Sequence, residues 1–554
     1  MPRTKYIPKL VTVLKEGYSF SGLLNDMGAG IIVAIVALPL SIAFAIASGV
    51  KPEQGLYTAI VAGFIISLLS GSRVQVGGPT GAFVVIIYGI IQKFGYEGLA
   101  TATIIAGLLL IIMGFARLGS IIKFIPYPVT IGFTSGIALI IFTTQIKDFF
   151  GLKIDDLPAE FIGKIHAYFF NFHSINFYSL FIGILTLAII IFWPKITYKI
   201  PGSFAAILIT TLIVVFLKIP VETIGTKFGS VPNMFPLPKI PIFNIDLIVK
   251  VFPSAITIAI LAGIESLLSC VVADGMTGGR HRSNMELVAQ GAANIFSVIF
   301  GGIPATGAIA RTATNIKNGG KTPFAGIIHA VTLFLIMILF SRWTSYIPMA
   351  TLAGILIVVA VNMSEYHIFI KLFKSPKSDI LVLLTTFLLT ILLDLTIAIQ
   401  VGIVMAAFLF MYRMSNVTEA KYITDSLTEE EEFDDPYAIS KREVPPGVEI
   451  FEIYGPFFFG AVDKFKDSLM LIEKFPKILI LRMRHVYAID ATGLRALEDV
   501  VNKSLSNGII IILSGVRTQP LLTIQKALLF DKIGSENICA DIDGSLARAS
   551  YILG

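Results

Sequence analysis

Two short segments far apart in the chain share one pattern of small residues around a proline. Gly77 to Ala82 reads GGPTGA, and Gly301 to Ala308 reads GGIPATGA. Glycine and proline interrupt a helix, so a new helix can begin after each motif. The start of that helix presents unpaired N–H groups and a partial positive charge to the segment before it. Two helix ends of this kind, aimed at each other, can hold an anion without a buried lysine. We therefore predict an anion site where the two motifs meet.

Each motif also carries side chains that could contribute to such a site. The glycines would let a ligand approach the backbone, and the hydroxyls of Thr80 and Thr306 could donate hydrogen bonds. The competing interpretation is that each motif is only a kink with small-residue helix packing. A matched pair of motifs makes that interpretation weaker without removing it. Arg311, shortly after the second motif, could add positive potential or pair with Glu265, and both readings stay open.

Glu265 stands out because it lies in the apolar run AILAGIESLLS, residues 259–269. A carboxylate deep in lipid costs several kcal/mol unless it is partnered or functional. Ser269 lies four residues further on, hence on the same helix face. Burial disfavours the charged form of a carboxyl group, so Glu265 could take up and release a proton. The alternative is a Glu265 that neighbouring hydroxyls or backbone groups satisfy.

The composition indicates a membrane protein. Of the 554 residues, 55% are hydrophobic and 14% are charged, whereas soluble domains carry roughly 25% charged residues. Apolar runs of roughly 17 to 25 residues, enough to cross a hydrocarbon core of about 30 Å, recur from Gly28 to Met414. The formal charge of +6 is spread between these runs, which argues against nucleic acid as a partner.

About fourteen apolar segments can be counted, and the third and tenth are short and contain the two motifs. The second copy comes seven segments after the first, so it enters the membrane in the opposite direction, which predicts an inverted repeat of seven plus seven spans. The segments cover roughly 28–48, 55–71, 79–92, 98–116, 125–146, 177–193, 201–218, 251–273, 285–302, 306–316, 323–341, 346–363, 378–393 and 395–413.

Loop charges predict the orientation, because short cytoplasmic loops collect Lys and Arg. With the N-terminus inside, the short outer loops contain only Lys51, Lys93 and Arg342. The short inner loops contain many more basic residues: Arg73, Arg117, Lys123, Lys195, Lys199, Arg280, Arg282, Lys317, Lys321, Lys371, Lys374 and Lys377. We predict a multi-pass protein of the cytoplasmic membrane with both termini in the cytoplasm.

Four regions are predicted along the chain: a cytoplasmic N-terminal segment (1–27), a transmembrane anion-transport domain (28–414), an acidic linker (415–446) and a small cytoplasmic α/β domain (447–554). In the last region, strands alternate with helices. The strands are predicted at Val448 to Tyr454, Lys477 to Met483 and Gly508 to Gly515, and the helices at Ala461 to Glu473 and Gly493 to Leu505.

The sequence does not favour an enzyme. It shows no nucleophile with a matching base, no metal-ligand spacing and no nucleotide loop, and its six histidines are scattered. Cys270 and Cys539 lie in different parts of the chain, so we expect no disulfide, no metal site and no cofactor.

Several stretches together resemble the signature sequences of the SulP (sulfate permease) family. They are Gln75 to Ala82, Val271 to Gly278, Asn284 to Gln290 and Pro304 to Thr312. The resemblance covers nearly the whole chain and implies a polytopic α-helical membrane protein, with fourteen spans in a UraA-like fold and a C-terminal STAS domain. It also implies assembly as a homodimer, joined largely through the STAS domains.

The resemblance further implies where the anion and its coupling ion bind. In relatives the anion lies between the N-termini of the third and tenth spans, which here correspond to Thr80, Gly81 and Ala82 and to Thr306, Gly307, Ala308, Ile309, Ala310 and Arg311. Sodium-coupled bicarbonate relatives have Asp at the eighth-span position, with a hydroxyl one turn on, whereas proton-coupled relatives have Glu. Glu265 with Ser269 therefore favours a proton over sodium as the coupling ion.

The α/β domain contains a second resemblance. Val486 to Leu494 resembles the loop-to-helix motif of anti-sigma-factor antagonists, in which Thr492 would occupy the phosphorylated position. We take an interaction or assembly role, with a cytoplasmic protein partner, as the default for this domain. The second motif and Ile453 to Phe459 look most like bacterial members associated with sulfate or C4-dicarboxylates.

These features together predict secondary active transport of a small inorganic or carboxylate anion. Sulfate, a dicarboxylate or bicarbonate would move with a proton by an elevator-like movement of the unit that contains both motifs. Three alternatives stay open: an anion channel or sensor, a sodium-coupled bicarbonate transporter and a nucleobase permease. Side-chain identity does not choose among the anions.

Overall fold

All fourteen apolar segments coincide with helices in the computed structural model of the chain. In an apolar surrounding, backbone polar groups must be paired within the segment, and a helix achieves this. The structure divides into two units, Met1–Val404 and Met405–Gly554. It describes residues 6–120, 126–154, 157–158, 160–197, 200–229, 232–241, 244–393, 395–417, 419–422, 439–458, 462, 465 and 476–554.

The first unit is helical apart from two very short strands. Its first half contains α1 Lys9–Glu16, α2 Phe20–Ala47, α3 Pro52–Leu69, β1 Gly77–Gly78, a 3-10 turn Gly81–Phe83, α4 Val84–Phe115, α5 Tyr127–Phe150, α6 Phe161–Asn171, α7 Phe177–Phe192, α8 Gly202–Phe216 and α9 Ile224–Phe228. Its second half contains α10 Ile245–Thr277, α11 Ser283–Ile299, β2 Thr306–Gly307, α12 Ile309–Lys317, α13 Pro323–Thr344, α14 Met349–Met363, α15 Tyr366–Leu372, α16 Lys377–Leu392 and α17 Leu395–Val417. Within the described residues, nine helical stretches are long and apolar enough to cross a membrane.

Two helix boundaries differ from the sequence prediction. Helix α2 begins at Phe20, well before Gly28, because the Ser19 side chain accepts a hydrogen bond of 3.1 Å from the N–H of Gly22 and so caps the helix. The third and fourth segments form one element, α4, in which Gly95 has a φ of 66°. That left-handed residue is where the two predicted segments separate.

The helices pack in matching ways in the two halves. Helix α3 packs against α11 and α13, just as α11 packs against α3 and α4. Helix α5 packs against α14 and α16, just as α14 packs against α5 and α7. In an inverted repeat, each helix of the first half corresponds to the helix seven predicted segments later. The contacts of α3 and α5 are therefore repeated by their counterparts α11 and α14.

The same packing divides the helices into two sets. The motif set consists of α2, α3, α4, α10, α11, α12 and α13, and the scaffold set contains α5, α7, α8, α14 and α16. The most extensive helix contacts lie within one set or the other, and the contacts between sets are smaller. The two short strands belong with the motif set.

The second unit is a layered α/β domain. Its sheet has the order β3-β4-β5-β6-β7, in which β3 is antiparallel to β4 and the remaining neighbours are parallel. Alternate residues of the central strands are buried on opposite faces of the sheet, as a sheet covered on both sides requires. The strands are β3 Glu419–Tyr422, β4 Val448–Tyr454, β5 Ile478–His485, β6 Ile510–Ser514 and β7 Ile538–Cys539, and the helices are α18 Ala491–Ser506, α19 Thr518–Lys526, α20 Leu529–Ile533 and α21 Ile542–Leu553.

Most elements predicted for this domain are confirmed within a few residues: β4, β5, β6 and α18. The predicted helix Ala461 to Glu473 lies outside the described residues, apart from 462 and 465. The acidic linker was predicted over 415–446, but β3 lies within that range and pairs with β4. A strand of four residues at the edge of a sheet carries too little hydrophobic pattern to be recognised.

Candidate functional site

The structure brings the two motifs into direct contact. Strands β1 and β2 pair antiparallel, with Gly77 opposite Gly307 and Gly78 opposite Thr306. The N–H of Ala308 extends this pairing with a 3.0 Å bond to the carbonyl of Val76. Because the strands run in opposite directions, the helices that follow them begin at opposite ends of the two-residue ladder.

Both helix starts contain unpaired backbone donors. Neither Thr80 nor Ala308, the residues that precede the two helical starts, caps them with a side-chain hydrogen bond. Among the described residues, none accepts a hydrogen bond from the N–H groups of Gly81, Ala82, Ile309 and Ala310. The two positive helix ends therefore point free donors at the space around the ladder, which is the arrangement that binds anions.

The hydroxyls of the two threonines differ in availability. Thr306 is fully buried, and its hydroxyl donates a 2.9 Å hydrogen bond to the carbonyl of Ala262 in α10. The Thr80 hydroxyl is buried without a hydrogen-bond partner among the described residues. Of these two threonines, Thr80 is therefore the one whose hydroxyl is free for a ligand.

Close approach explains why glycine stands at the ladder. A Cβ on Gly78 would lie 2.2 Å from Nη1 of Arg311, and a Cβ on Gly307 would lie 1.6 Å from Nε2 of Gln75. Both distances are far below van der Waals contact, so these positions exclude any side chain unless the neighbours move. The glycines thus allow Arg311 and Gln75 to reach the backbone of the motifs.

The Arg311 side chain lies against the first motif and makes no hydrogen bond or ion pair with Glu265 in the described structure. It is 2% exposed, and its Nη2 donates to the carbonyl of Pro79 at 3.0 Å and to Oγ of Ser41 at 3.3 Å. Its Nη1 is buried with no hydrogen-bond partner in the described part of the chain. Of the two roles left open by the sequence, this position favours the addition of positive potential at the site.

Glu265 lies beside the second motif, on the part of α10 that packs against β2. The carbonyl of Ala262 binds Thr306, and the Cα of Ser266 lies 3.2 Å from a Cβ position on Gly307. Glu265 itself is partly exposed. Its carboxylate makes no hydrogen bond or ion pair with any described residue. It is therefore free to interact with a bound ion.

The Ser269 hydroxyl is hydrogen-bonded to Thr312 in the structure. Ser269 is fully buried, and its Oγ donates to Oγ1 of Thr312 at 3.3 Å. Thr312 in turn accepts a 3.1 Å hydrogen bond from the N–H of Val76, beside β1. Ser269 thus supports the ladder from α10, although it shares a helix with Glu265.

A buried polar stripe on α11 also supports the motifs, and the sequence reading missed it. Glu286, Gln290 and Asn294 are all fully buried. Glu286 accepts hydrogen bonds from Ser70 Oγ at 2.5 Å, the N–H of Gly71 at 3.0 Å, Ser266 Oγ at 2.9 Å and Gln290 Nε2 at 2.8 Å. The signal was present in the sequence, because a spacing of four residues places polar groups in one row of a helix.

Asn294, the last residue of that stripe, fixes the loop before β2. Its Oδ1 accepts from the N–H of Ala305 at 2.9 Å, and its Nδ2 donates to the carbonyl of the same residue at 2.8 Å. One side chain thus satisfies both backbone polar groups of a buried residue, which backbone pairing does not do at this position. The loop that leads to the free donors of α12 is therefore held in one position.

Thr492 lies apart from these residues, in the second unit. It is exposed in the first turn of α18. Asp490 caps this helix by accepting a 2.8 Å hydrogen bond from the N–H of Gly493. The Thr492 hydroxyl is therefore accessible at a helix N-terminus, a position that favours negative charge.

Comparisons with known families agree with this architecture. Residues 23–386 match the model described as the sulfate permease family, and residues 440–545 match the STAS domain. The chain is 42% identical to YvdB of Bacillus subtilis (strain 168), whose name assigns it to sulfate transport, over 94% of this chain and 97% of that protein. It is 30% identical to the bicarbonate transporter BicA of Picosynechococcus sp., over 96% of this chain and 95% of that one.

Solved structures show the same fold. The transmembrane domain of a cyanobacterial bicarbonate transporter BicA superposes with a TM-score of 0.62 at 28% identity, over 70% of this chain and 98% of that one. A murine Slc26a9 anion transporter in an inward-facing state superposes with a TM-score of 0.87 at 18% identity, over 98% and 94% of the two chains. The family and the fold class predicted from the sequence are confirmed.

Proposed function

The chain belongs to the sulfate permease family and is a membrane anion transporter with a STAS domain, and we propose that it carries sulfate as a proton-coupled secondary transporter. The observation that supports this most is the pair of helix starts with free N–H donors on either side of the β1–β2 ladder. Sulfate is the preferred substrate because YvdB, at 42% identity, bears a sulfate-transport name.

In this proposal the anion binds between the two helix starts. The N–H groups of Gly81, Ala82, Ile309 and Ala310 donate to its oxygens, and the hydroxyl of Thr80 adds a further donor. The guanidinium of Arg311 lies behind the first motif and raises the local positive potential without blocking the ligand. Charge-assisted hydrogen bonds of this kind are about twice as strong as neutral ones.

Glu265 supplies the proton coupling. Its carboxylate has no partner among the described residues, so a negative charge there would repel an incoming anion through a medium of low dielectric. Protonation of Glu265 removes this repulsion, and the loaded site then carries one negative charge fewer. The anion and the proton therefore favour each other's binding, which is what symport requires.

Movement of the motif set past the scaffold set would carry the loaded site across the membrane. Both motifs, Arg311 and Glu265 belong to the motif set, so the site would move as one body. Gly81 faces side chains of the scaffold set, since a Cβ on it would lie 3.2 Å from Sδ of Met363 and 3.4 Å from Cδ1 of Ile141. Apolar contacts of this kind can slide more easily than a hydrogen-bonded interface.

Uptake of labelled sulfate by reconstituted vesicles tests the proposal. We expect uptake to accelerate when the outside is more acidic than the lumen, and we expect Glu265→Gln to abolish that acceleration. Glu97→Gln is the matched control, because Glu97 is exposed and its carboxylate makes no hydrogen bond or ion pair in the described structure. Sulfate uptake that ignores the pH gradient in the wild type would refute proton coupling.

Bicarbonate is the second candidate substrate, because BicA is 30% identical over nearly the whole chain. The same vesicles distinguish the two proposals, since bicarbonate uptake driven by a sodium gradient and indifferent to pH would favour a BicA-like activity. A dicarboxylate such as succinate belongs in the same panel. Currents far above carrier turnover would instead indicate a channel or sensor, and uracil binding would indicate a nucleobase permease.

The proposal extends to assembly and location. We propose a homodimer in the cytoplasmic membrane with both termini in the cytoplasm, in which the STAS domain joins the subunits or binds a cytoplasmic protein. We propose no enzymatic activity for the chain. Cross-linking of the purified protein, with and without residues 440–554, measures whether that domain joins the subunits.

A further inference from the structure

Lys164 of α6 is a buried cation outside the proposed site. Its side chain is 3% exposed. Its Nζ lies 3.4 Å from Oγ1 of Thr144 and 5.1 Å from the ring centroid of Tyr88. No described carboxylate pairs with it. Burial of an ammonium group without a counter-ion is costly. A bound anion would therefore stabilise Lys164, and the described residues do not provide one.

Lys164 lines a cavity of about 480 Å³ between the motif set and the scaffold set. Parts of α4, α5, α6, α10, α16 and α17 surround it, and the loop charges assign this end of the helices to the outside. Lys93 and Lys250 also line the cavity, and Glu160 is the acidic residue among the described lining. The lining therefore carries an excess of positive charge.

The cavity ends close to the proposed anion site. Val84, which lines it, directly follows the 3-10 turn that offers the free N–H groups of the first motif. Ile140 also lines it and is the neighbour of Ile141, the residue whose Cδ1 lies 3.4 Å from a Cβ position on Gly81. The cavity thus leads from the outer end of the helices towards the first motif.

We infer that this cavity is an outer binding station for a small oxyanion, in which Lys164 holds the anion before it reaches the two motifs. The inference rests on the proposed transport of sulfate and adds a second, separate site to it. A volume of about 480 Å³ accommodates an oxyanion with several water molecules, since one water takes up about 30 Å³. The cation–π contact with Tyr88 and the Thr144 hydroxyl keep the ammonium group in place while the station is empty.

The station should lose its charge in mildly alkaline solution. Burial lowers the pKa of Lys164 to about 8, so the ammonium is charged below that pH and neutral above it. Tyr88, Lys93, Glu160 and Lys250 are the other titratable groups of the lining. On the neighbouring α5, Asp148 is paired with Lys227 at 3.0 Å, and Lys147 donates to the carbonyl of Ile154.

Sulfate self-exchange in vesicles tests the inference, with the same pH on both sides so that no proton gradient contributes. For the wild type we expect the KM for sulfate to rise as the pH passes about 8. Lys164→Met should raise the KM about tenfold at neutral pH, the usual effect of losing one charged hydrogen bond, and should remove this rise. Lys164→Arg should keep the low KM up to higher pH.

Controls separate the possible failures. Lys153→Gln removes an exposed lysine near the same end of α5 and should leave the KM unchanged. If Lys164→Met exchanges sulfate with the wild-type KM and pH profile, the outer binding station is refuted but the transport proposal stands. Failure of the wild type to exchange sulfate at all would overturn the transport proposal itself.

A lipid headgroup offers the same phosphate-like chemistry, so the lipid composition must be varied. We expect the effect of Lys164→Met to persist in vesicles made only of phosphatidylcholine. If the effect appears only when phosphatidylglycerol is present, the cavity holds an anionic lipid and the inference is wrong.

Discussion

Gly78 and Gly307 set the distance at which polar side chains approach the two motifs. Glu265 could be recognised from the sequence because a lone carboxylate in an apolar run is unusual. The hydrogen-bond partners of Arg311 and Ser269 could not be predicted. Helical spacing shows on which face of its helix a residue lies, but not which element packs against that face. Both side chains turned out to support the first motif from the second half of the chain.

Gly78→Ala tests the close approach at the residue scale. The added methyl would meet Nη1 of Arg311 at 2.2 Å, so either the guanidinium or the ladder must move. Because small misplacements of binding groups can cost about a hundredfold in rate, we expect sulfate uptake to fall at least tenfold.

Gly28→Ala is the control for this substitution, since a Cβ on Gly28 of α2 meets nothing within 4 Å. We expect it to transport like the wild type. Uptake by Gly78→Ala at the wild-type rate, with normal amounts of protein in the vesicles, would show that the approach of Arg311 is not needed.

Among the elements, the long helices were predictable and the shortest ones were not. Fourteen apolar runs gave fourteen helical segments because lipid leaves the backbone few alternatives. Strands β1 and β2 have two residues each, too few for any periodic pattern. Their pairing follows from the tertiary packing of α3, α10 and α11, and only the repeated motif hinted that the two segments belong together.

Asn294→Ala tests how α11 supports the second motif. The substitution leaves the buried N–H and C=O of Ala305 without the partners they have at 2.9 and 2.8 Å. An unpaired buried polar group costs about 1–3 kcal/mol, so we expect a lower melting temperature in detergent and slower sulfate uptake.

Asn318→Ala provides a matched comparison. Its side-chain amide also donates to a backbone carbonyl, that of Thr314 at 2.8 Å, but it is exposed to solvent. We expect the free energy of unfolding to change by no more than about 0.5 kcal/mol, which is typical of surface positions. Equal melting temperatures for the two variants would mean that the loop before β2 does not depend on Asn294.

On the scale of the whole molecule, the chain consists of two units, each with its own buried apolar clusters. The change from apolar runs to alternating strands and helices predicts a transmembrane domain that ends at residue 414, whereas the structure divides the chain after Val404. The sequence could not reveal that β3, in the acidic region, belongs to the sheet of the second unit, since an edge strand needs only backbone partners.

Glu452→Ala tests whether the two units are energetically separate. Glu452 is fully buried in β4 and accepts from Arg482 at 2.9 Å and from Arg484 at 2.6 Å. Breaking such a buried pair costs about 3–5 kcal/mol, so we expect the second unit to melt earlier while the KM for sulfate stays unchanged.

The control is Glu498→Ala, which removes a surface pair with Lys532 in which both side chains are 43% exposed. Exposed pairs contribute about 0–1 kcal/mol, so the melting profile should hardly change. A large change in the KM for sulfate in Glu452→Ala would instead show that the STAS domain influences the anion site.

The most direct measurement of the central claim follows sulfate and protons in the same vesicles, with labelled sulfate outside and a pH-sensitive dye in the lumen. We expect the lumen to acidify in step with sulfate uptake in the wild type, and we expect Glu265→Gln to exchange sulfate without net acidification. Sulfate accumulation by the wild type with no acidification would contradict the account.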